Sequence, residues 1–162
     1  MCTSLVAEFL RQLFPSGVRH CLLIALGNTL RSDDGVGPYL AEQLRGIAGL
    51  QIENAGDRPE RSVHWVERYR PRTVVFLDVA DFGGAPGDLR QIGPGELINS
   101  GLSTHRLPLA ALITWIEQEN NVQCYCLGIQ AASLQPGETL STPVSITADL
   151  LIEWFKLQAA AD

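Results

Sequence analysis

The chain contains no apolar run long enough to span a membrane. Its first helical stretch, TSLVAEFLRQLF, is interrupted by Glu8 and Arg11 and preceded by no basic residues, so it does not read as a secretory signal. Clustered positive charge is missing as well. The net charge is −6, and Arg58, Arg61, Arg68, Arg70 and Arg72 are interleaved with Glu60 and Glu67, the pattern of a solvated helix face. Binding to phosphate backbones needs a basic groove, so nucleic acid and membrane are excluded as expected partners and the cytoplasm is the expected location. Cysteine is sparse: Cys2, Cys21, Cys124 and Cys126 do not suggest a disulfide framework in 162 residues. Cys21 and Cys126 fall in apolar strand-like runs, and Cys124 and Cys126 share one strand face, which suits packing first and metal or redox chemistry second. There is no G-x-S-x-G elbow, no P-loop and no H-E-x-x-H. The three glycine positions of a dinucleotide loop hold Ala25, Gly27 and Leu30, so no such cofactor is expected, although Glu53 stands where a ribose-binding acid would.

What is present is a chain that is 46% apolar and 19% charged, with no internal repeat or linker, which predicts one domain over residues 1–162. Strands are expected over 20–27, 50–54, 73–79, 89–92 and 122–129. Helices are expected over 3–14, 35–46, 59–69, from about 105 to 119, and over 143–159. The continuous apolar run TVVFLDV reads as a parallel strand covered on both faces, and 89–92 as a short edge strand. Alternation at this spacing predicts an α/β fold, a three-layer αβα arrangement of about five mostly parallel, doubly wound strands. Residues 1–18 form a helical extension that covers a sheet edge or mediates self-association; the sequence leaves the oligomeric state open.

The most informative stretch is CLLIALGNTLRSDDGVGP, residues 21–38, in which a strand runs into a polar loop and then a helix. Such a loop lies at the carboxyl edge of the sheet, where ligands bind. It carries adjacent carboxylates, Asp33 and Asp34, which would repel phosphate and attract a cation. Capping of the next helix would account for one residue among Ser32, Asp33 and Asp34, but not for three. Asp78 ends a buried strand, where a carboxylate must be hydrated, hydrogen-bonded or liganded. His105 opens a later helix on the same edge, although Ser103 or Thr104 could cap that helix and leave it an ordinary exposed imidazole. His20 and His64 have weaker positions. Two carboxylates and an imidazole make a donor set for a borderline divalent metal such as zinc or nickel, with positions left open for substrate or water.

GNTLRSDDGVGP, then FLDVADFGGAPGDLR, then STHRLPL, then LGIQ, in this order and over roughly residues 20–155, resemble the hydrogenase maturation endopeptidases. The likeness is greatest to the hydrogenase 3 maturation branch. It implies a cytoplasmic protease whose partner is the large-subunit precursor of a nickel–iron hydrogenase. The family's metal-binding positions fall on Asp34, Asp78 and His105, the residues that chemistry selects independently. Gly27, Asn28, Asp33, Gly35 and Gly37 match the surrounding loop, Gly83 and Gly87 the later turn, and Asp81 an acidic position within it. Two positions depart from the pattern: Ala25 replaces a glycine, and Asn54 replaces an aspartate after the second strand.

The resemblance implies cleavage of a C-terminal extension once nickel has been inserted. Asp34, Asp78 and His105 would bind or recognise that nickel, and other divalent metals could substitute for it. An incomplete donor set in the protease and one in the precursor would share the metal, so that only a loaded precursor is held. No serine or cysteine nucleophile is evident. A binding module that uses the same residues as a nickel sensor or chaperone is the alternative, separated by its inability to cut a peptide bond. A nucleotide-binding α/β protein is the third reading, which tight metal-free binding of NAD or a mononucleotide would favour.

Overall fold

Every residue of β1 (Cys21–Leu26) is buried, as an apolar run without polar alternation requires. The computed structural model describes residues 3–93, 96 and 109–161, and makes β1 an inner strand of a five-stranded sheet. The order is β2–β1–β3–β5–β4, with β2 at Gln51–Gly56, β3 at Thr73–Ala80, β4 at Leu89–Ile92 and β5 at Gln123–Gln130. The strands β2, β1, β3 and β5 are parallel, and β4 pairs antiparallel to β5 at the edge. This is the expected doubly wound α/β arrangement.

Alternate side chains of each inner strand feed two cores. Leu23, Val75, Leu77 and Leu127 meet α1 (Thr3–Leu13), α2 (Val36–Leu44) and α5 (Thr142–Ala161) on one face. Leu22, Ile24, Phe76 and Cys126 meet α3 (Ser62–Tyr69) and α4 (Leu109–Asn120) on the other. Each buried leucine, isoleucine or phenylalanine contributes about 1.5–3 kcal/mol relative to exposure, so the two layers together hold the strands in register.

Three elements differ from the sequence reading in instructive ways. Asn54 lies inside β2, which runs on to Gly56 with a register irregularity opposite Ala25 and Leu26. Apolar content alone places the strand end too early, because Asn54 and Gly56 carry no β signal. The second helix is preceded by a separate 3-10 turn, Ser32–Gly35, and begins only at Val36. The first helix covers a face and not an edge: Val6, Leu10, Leu13 and Phe14 are built into the α2/α5 core. Phe14 packs with Trp154 and Phe155 at ring-centroid distances of 5.4 and 5.6 Å. No helix among the described residues is long and apolar enough to cross a membrane.

Candidate metal and substrate site

The strand order reverses between β1 and β3: the chain leaves β1 toward β2 and returns across it to β3. In open α/β sheets the crevice outside the carboxyl ends at such a reversal is where ligands sit. Asp34 follows β1, and Asp78 lies two residues before the end of β3, so both candidate carboxylates belong to the strands that bound this crevice. The β1–β3 register pairs Ala25 with Leu77, which puts Leu26 and Gly27 level with the last residues of β3.

Close backbone packing brings Asp34 to the strand end. Gly27 has φ +130°, and a β-carbon on it would lie 1.9 Å from the Asp34 carbonyl oxygen. The Asn28 N–H donates to that same oxygen at 3.0 Å. On the far side of the turn, a β-carbon on Gly37 would lie 2.0 Å from the Leu26 carbonyl oxygen. The two glycines therefore fold the turn back onto β1, and Asp34 is left half-buried beside Gly27. Leu30, at the tip, is exposed.

The adjacent carboxylates have separate fates. Asp33 has no exposed surface. Its Oδ2 accepts from the Ala132 N–H at 2.8 Å, the Ser133 N–H at 3.0 Å and the Ser141 hydroxyl at 2.9 Å. Its Oδ1 accepts from the Ser141 N–H at 2.6 Å. Burial alone would raise its pKa, but these donors outweigh burial and hold the carboxyl below the usual carboxylate range. Asp33 is thus taken up by the 132–141 segment, and Asp34 is the carboxylate of the pair left at the crevice. Helix capping explains neither residue, since neither the 3-10 turn nor α2 has a side-chain cap hydrogen bond.

Asp78 is 5% exposed and falls between Phe76 and Ala80 in the strand alternation, so it points to the α3/α4 face. Its Oδ1 accepts the Val79 N–H at 2.8 Å. Gly128 is its register partner on β5, where a β-carbon would meet Ala80 at 2.9 Å. His105 lies outside the described residues; α4, which starts at Leu109, packs on the face Asp78 points to. Among the described residues no three potential ligands cluster together.

The sequence reading missed Gln130. This residue ends β5 with 6% exposure, and its Oε1 accepts the Phe82 and Gly84 N–H groups at 2.9 and 3.1 Å. Its Nε2 donates to Asp81 Oδ1 at 3.1 Å, and Asp81 also accepts the Gly83 N–H at 3.3 Å. One buried amide therefore shapes the loop that follows Asp78. Its sequence signal is weak, a polar side chain closing a strand, which reads equally as a surface residue. Gly87 anchors the far end of that loop, where a β-carbon would lie 2.6 Å from the Pro143 carbonyl oxygen.

The rival readings lose their residues. Glu53 accepts the Tyr69 hydroxyl at 2.6 Å, so the acid considered for a ribose is engaged within the fold. Burial, and then the Glu117 carboxylate, push the Cys124 thiol up to about 12. Burial and then Asp78 push the Cys126 thiol up further, so both thiols are protonated packing groups at neutral pH. Beside the Asp34 turn, a cavity of about 450 Å³ opens on the α2 side, lined by Ser32, Gly35, Tyr39, Arg45, Asn54 and Glu138. The Asn54 amide oxygen accepts the Gly56 N–H at 2.9 Å, a local turn contact that needs no charge.

Residues 36–155 match the sequence model of a family described as hydrogenase maturation protease, HycI. The hydrogenase 3 maturation protease of Escherichia coli strain K12 is 30% identical over 112 residues, covering 67% of this chain and 71% of that relative. The crystal structure of a NiFe hydrogenase maturation protease, HycI, from Thermococcus kodakarensis KOD1 is similar with a TM-score of 0.82 at 28% identity, covering 94% of this chain and 99% of that one. The solution structure of the endopeptidase HycI from Escherichia coli aligns with a TM-score of 0.72 at 26% identity, covering 82% of this chain and 86% of that one.

Proposed function

The chain belongs to the hydrogenase maturation protease family, and from that premise we propose that it removes the C-terminal extension of a nickel–iron hydrogenase large-subunit precursor after nickel has been inserted. The observation that supports this reading is that Asp34 packs at the carboxyl end of β1 and Asp78 lies near that of β3, the two strands between which the order reverses. A nucleotide site would place glycines and bare N–H groups there; this chain places carboxylates.

Nickel enters as the precursor's cargo. Asp34, Asp78 and His105 are the residues that would hold it, and two carboxylates with an imidazole suit a borderline divalent ion. A metal bound there supplies Lewis acidity toward a carbonyl or a water. The chain's own contribution is recognition. Asp78 is nearly shielded from solvent, so its charge is felt strongly by a cation brought into the crevice. Asp34 stands on a turn whose two ends are packed against β1, so it offers its carboxylate from a fixed place. A protease set that is incomplete alone favours the precursor that brings the ion with it.

The deciding experiment incubates the protein with precursor that contains or lacks nickel and reads intact mass. Loss of a short C-terminal peptide from the nickel-loaded precursor only is the expected result. A stable complex without any change of mass would replace this reading with that of a nickel-dependent binding module.

A further inference from the structure

The turn that carries Asp34 is mounted at three places. Gly27 and Gly37 fix its two ends to β1 by backbone contact. The third mount is remote from β1 and is made by Asp33, whose carboxylate accepts four hydrogen bonds from Ala132, Ser133 and Ser141. The Asp33 N–H completes the join by donating to the Ser133 carbonyl at 3.2 Å. The remaining links to this segment lie at the turn's surface. The Ser32 N–H donates to the Gly137 carbonyl, the Gly137 N–H to the Leu30 carbonyl, and the Ser32 hydroxyl to the Gln135 carbonyl. The bonds within the turn, such as the Asp34 N–H to the Arg31 carbonyl, preserve its shape but do not attach it to its surroundings.

Four donors converging on one side chain require acceptors only. A carboxylate meets this on both oxygens; an amide would set an NH₂ group against one of the donors. The chemistry of the position therefore selects aspartate specifically, immediately before the residue read as a nickel contact. Second-shell groups of this kind are what hold a ligand within the narrow tolerance that metal recognition demands.

We propose that Asp33 is a positioning residue: by docking the turn onto residues 132–141 it sets where Asp34 stands relative to Asp78, and with it the nickel-dependent part of precursor binding. The proposal rests on the reading of Asp34 and Asp78 as nickel contacts. It assigns Asp33 no contact with metal or substrate.

The test measures the affinity of the full chain for precursor with and without nickel, and takes the ratio of the two. Wild type, Asp33→Asn, Ser141→Ala, Asp34→Asn and Asn120→Ala are compared, the last removing an amide that donates to the Ile116 carbonyl at the opposite, amino edge of the sheet. In Asp33→Asn the nickel-dependent gain in affinity falls by about 10-fold or more while binding of nickel-free precursor is unchanged. Ser141→Ala, which removes one donor of the four, gives a smaller fall in the same direction. Asn120→Ala leaves the ratio at the wild-type value. A merely structural role would instead weaken both affinities together. A folded Asp33→Asn protein with the wild-type ratio overturns the proposal; if that variant does not fold, a wild-type ratio in Ser141→Ala overturns it. A wild-type protein with no nickel-dependent gain, or an Asp34→Asn protein that keeps the gain, overturns the underlying nickel-contact reading, a failure visible without the Asp33 variant.

Discussion

The carbonyl oxygen of Asp34 occupies the space that a β-carbon on residue 27 would need, the two lying 1.9 Å apart. Gly27→Ala therefore forces the turn off the strand end. The φ of +130° adds strain of about 1–3 kcal/mol for a residue with a side chain. A lower denaturant midpoint together with loss of processing is the expected outcome. A variant that processes precursor at the wild-type rate would show that the close approach does not matter.

Asp34→Ala and His105→Ala should abolish processing, Asp34 being half-buried on a surface turn and His105 a predicted ligand outside the described residues. Outer-shell changes around metals cost about 10–100-fold, and removal of a direct contact is expected to exceed that range. For Asp34→Ala the far-UV circular dichroism should match wild type; a collapsed spectrum would make Asp34 structural instead. Asp78→Asn should also abolish processing, with a shifted melting temperature, because that side chain is nearly buried.

The strand cysteines predict an alkaline limb in stability. The Cys124 thiol is raised from 9.0 to about 12 in the folded chain, and Cys126 shifts in the same direction. A raised folded pKa contributes stability that is complete below the unfolded value and is lost as pH climbs through the folded one. Stability should therefore hold to about pH 9 and then decline. The Cys124→Ala, Cys126→Ala double variant, although less stable at neutral pH, should decline less steeply between pH 9 and 11. Equal slopes in denaturant titrations would remove the thiols from the explanation.

Phe14 gives a measure of how integral the first helix is. Its ring touches Trp154 and Phe155, themselves 5.3 Å apart, in the α2/α5 core. Phe14→Ala should cost about 3–5 kcal/mol, as for other buried aromatic truncations. Chemical denaturation followed by tryptophan fluorescence reads it directly. A cost below about 1 kcal/mol would mark the helix as an attachment with little share in the core.

The strands were legible because their apolar runs have no other use: CLLIAL and TVVFLDV could only be buried on both faces. As candidates, Asp34 stood out for the paired carboxylates of its loop, and Asp78 because a carboxylate near the end of a buried strand demands a reason. Asp33 was legible as part of the loop, but its role was not, since all its side-chain partners lie about a hundred positions away and no local pattern announces them. Gln130 escaped for a related reason: a glutamine at a strand end reads as a surface residue until its loop is seen wrapped around it. The end of β2 was set two residues early, at Asn54 instead of Gly56, because pairing with β1 carries the strand on despite its poor strand propensity.

The Asp33–Ser141 bond spans 108 positions of the chain. During synthesis β1 and its turn emerge early, while the donors that satisfy Asp33 are still to be made. Until Ser141 has emerged and α5 can dock, that carboxylate must remain hydrated, and the turn lacks its third support. The turn that carries Asp34 is thus finished by residues made about a hundred positions later. On the positioning proposed for Asp33, a nascent fragment that holds both carboxylates but lacks Ser141 should therefore process a precursor poorly.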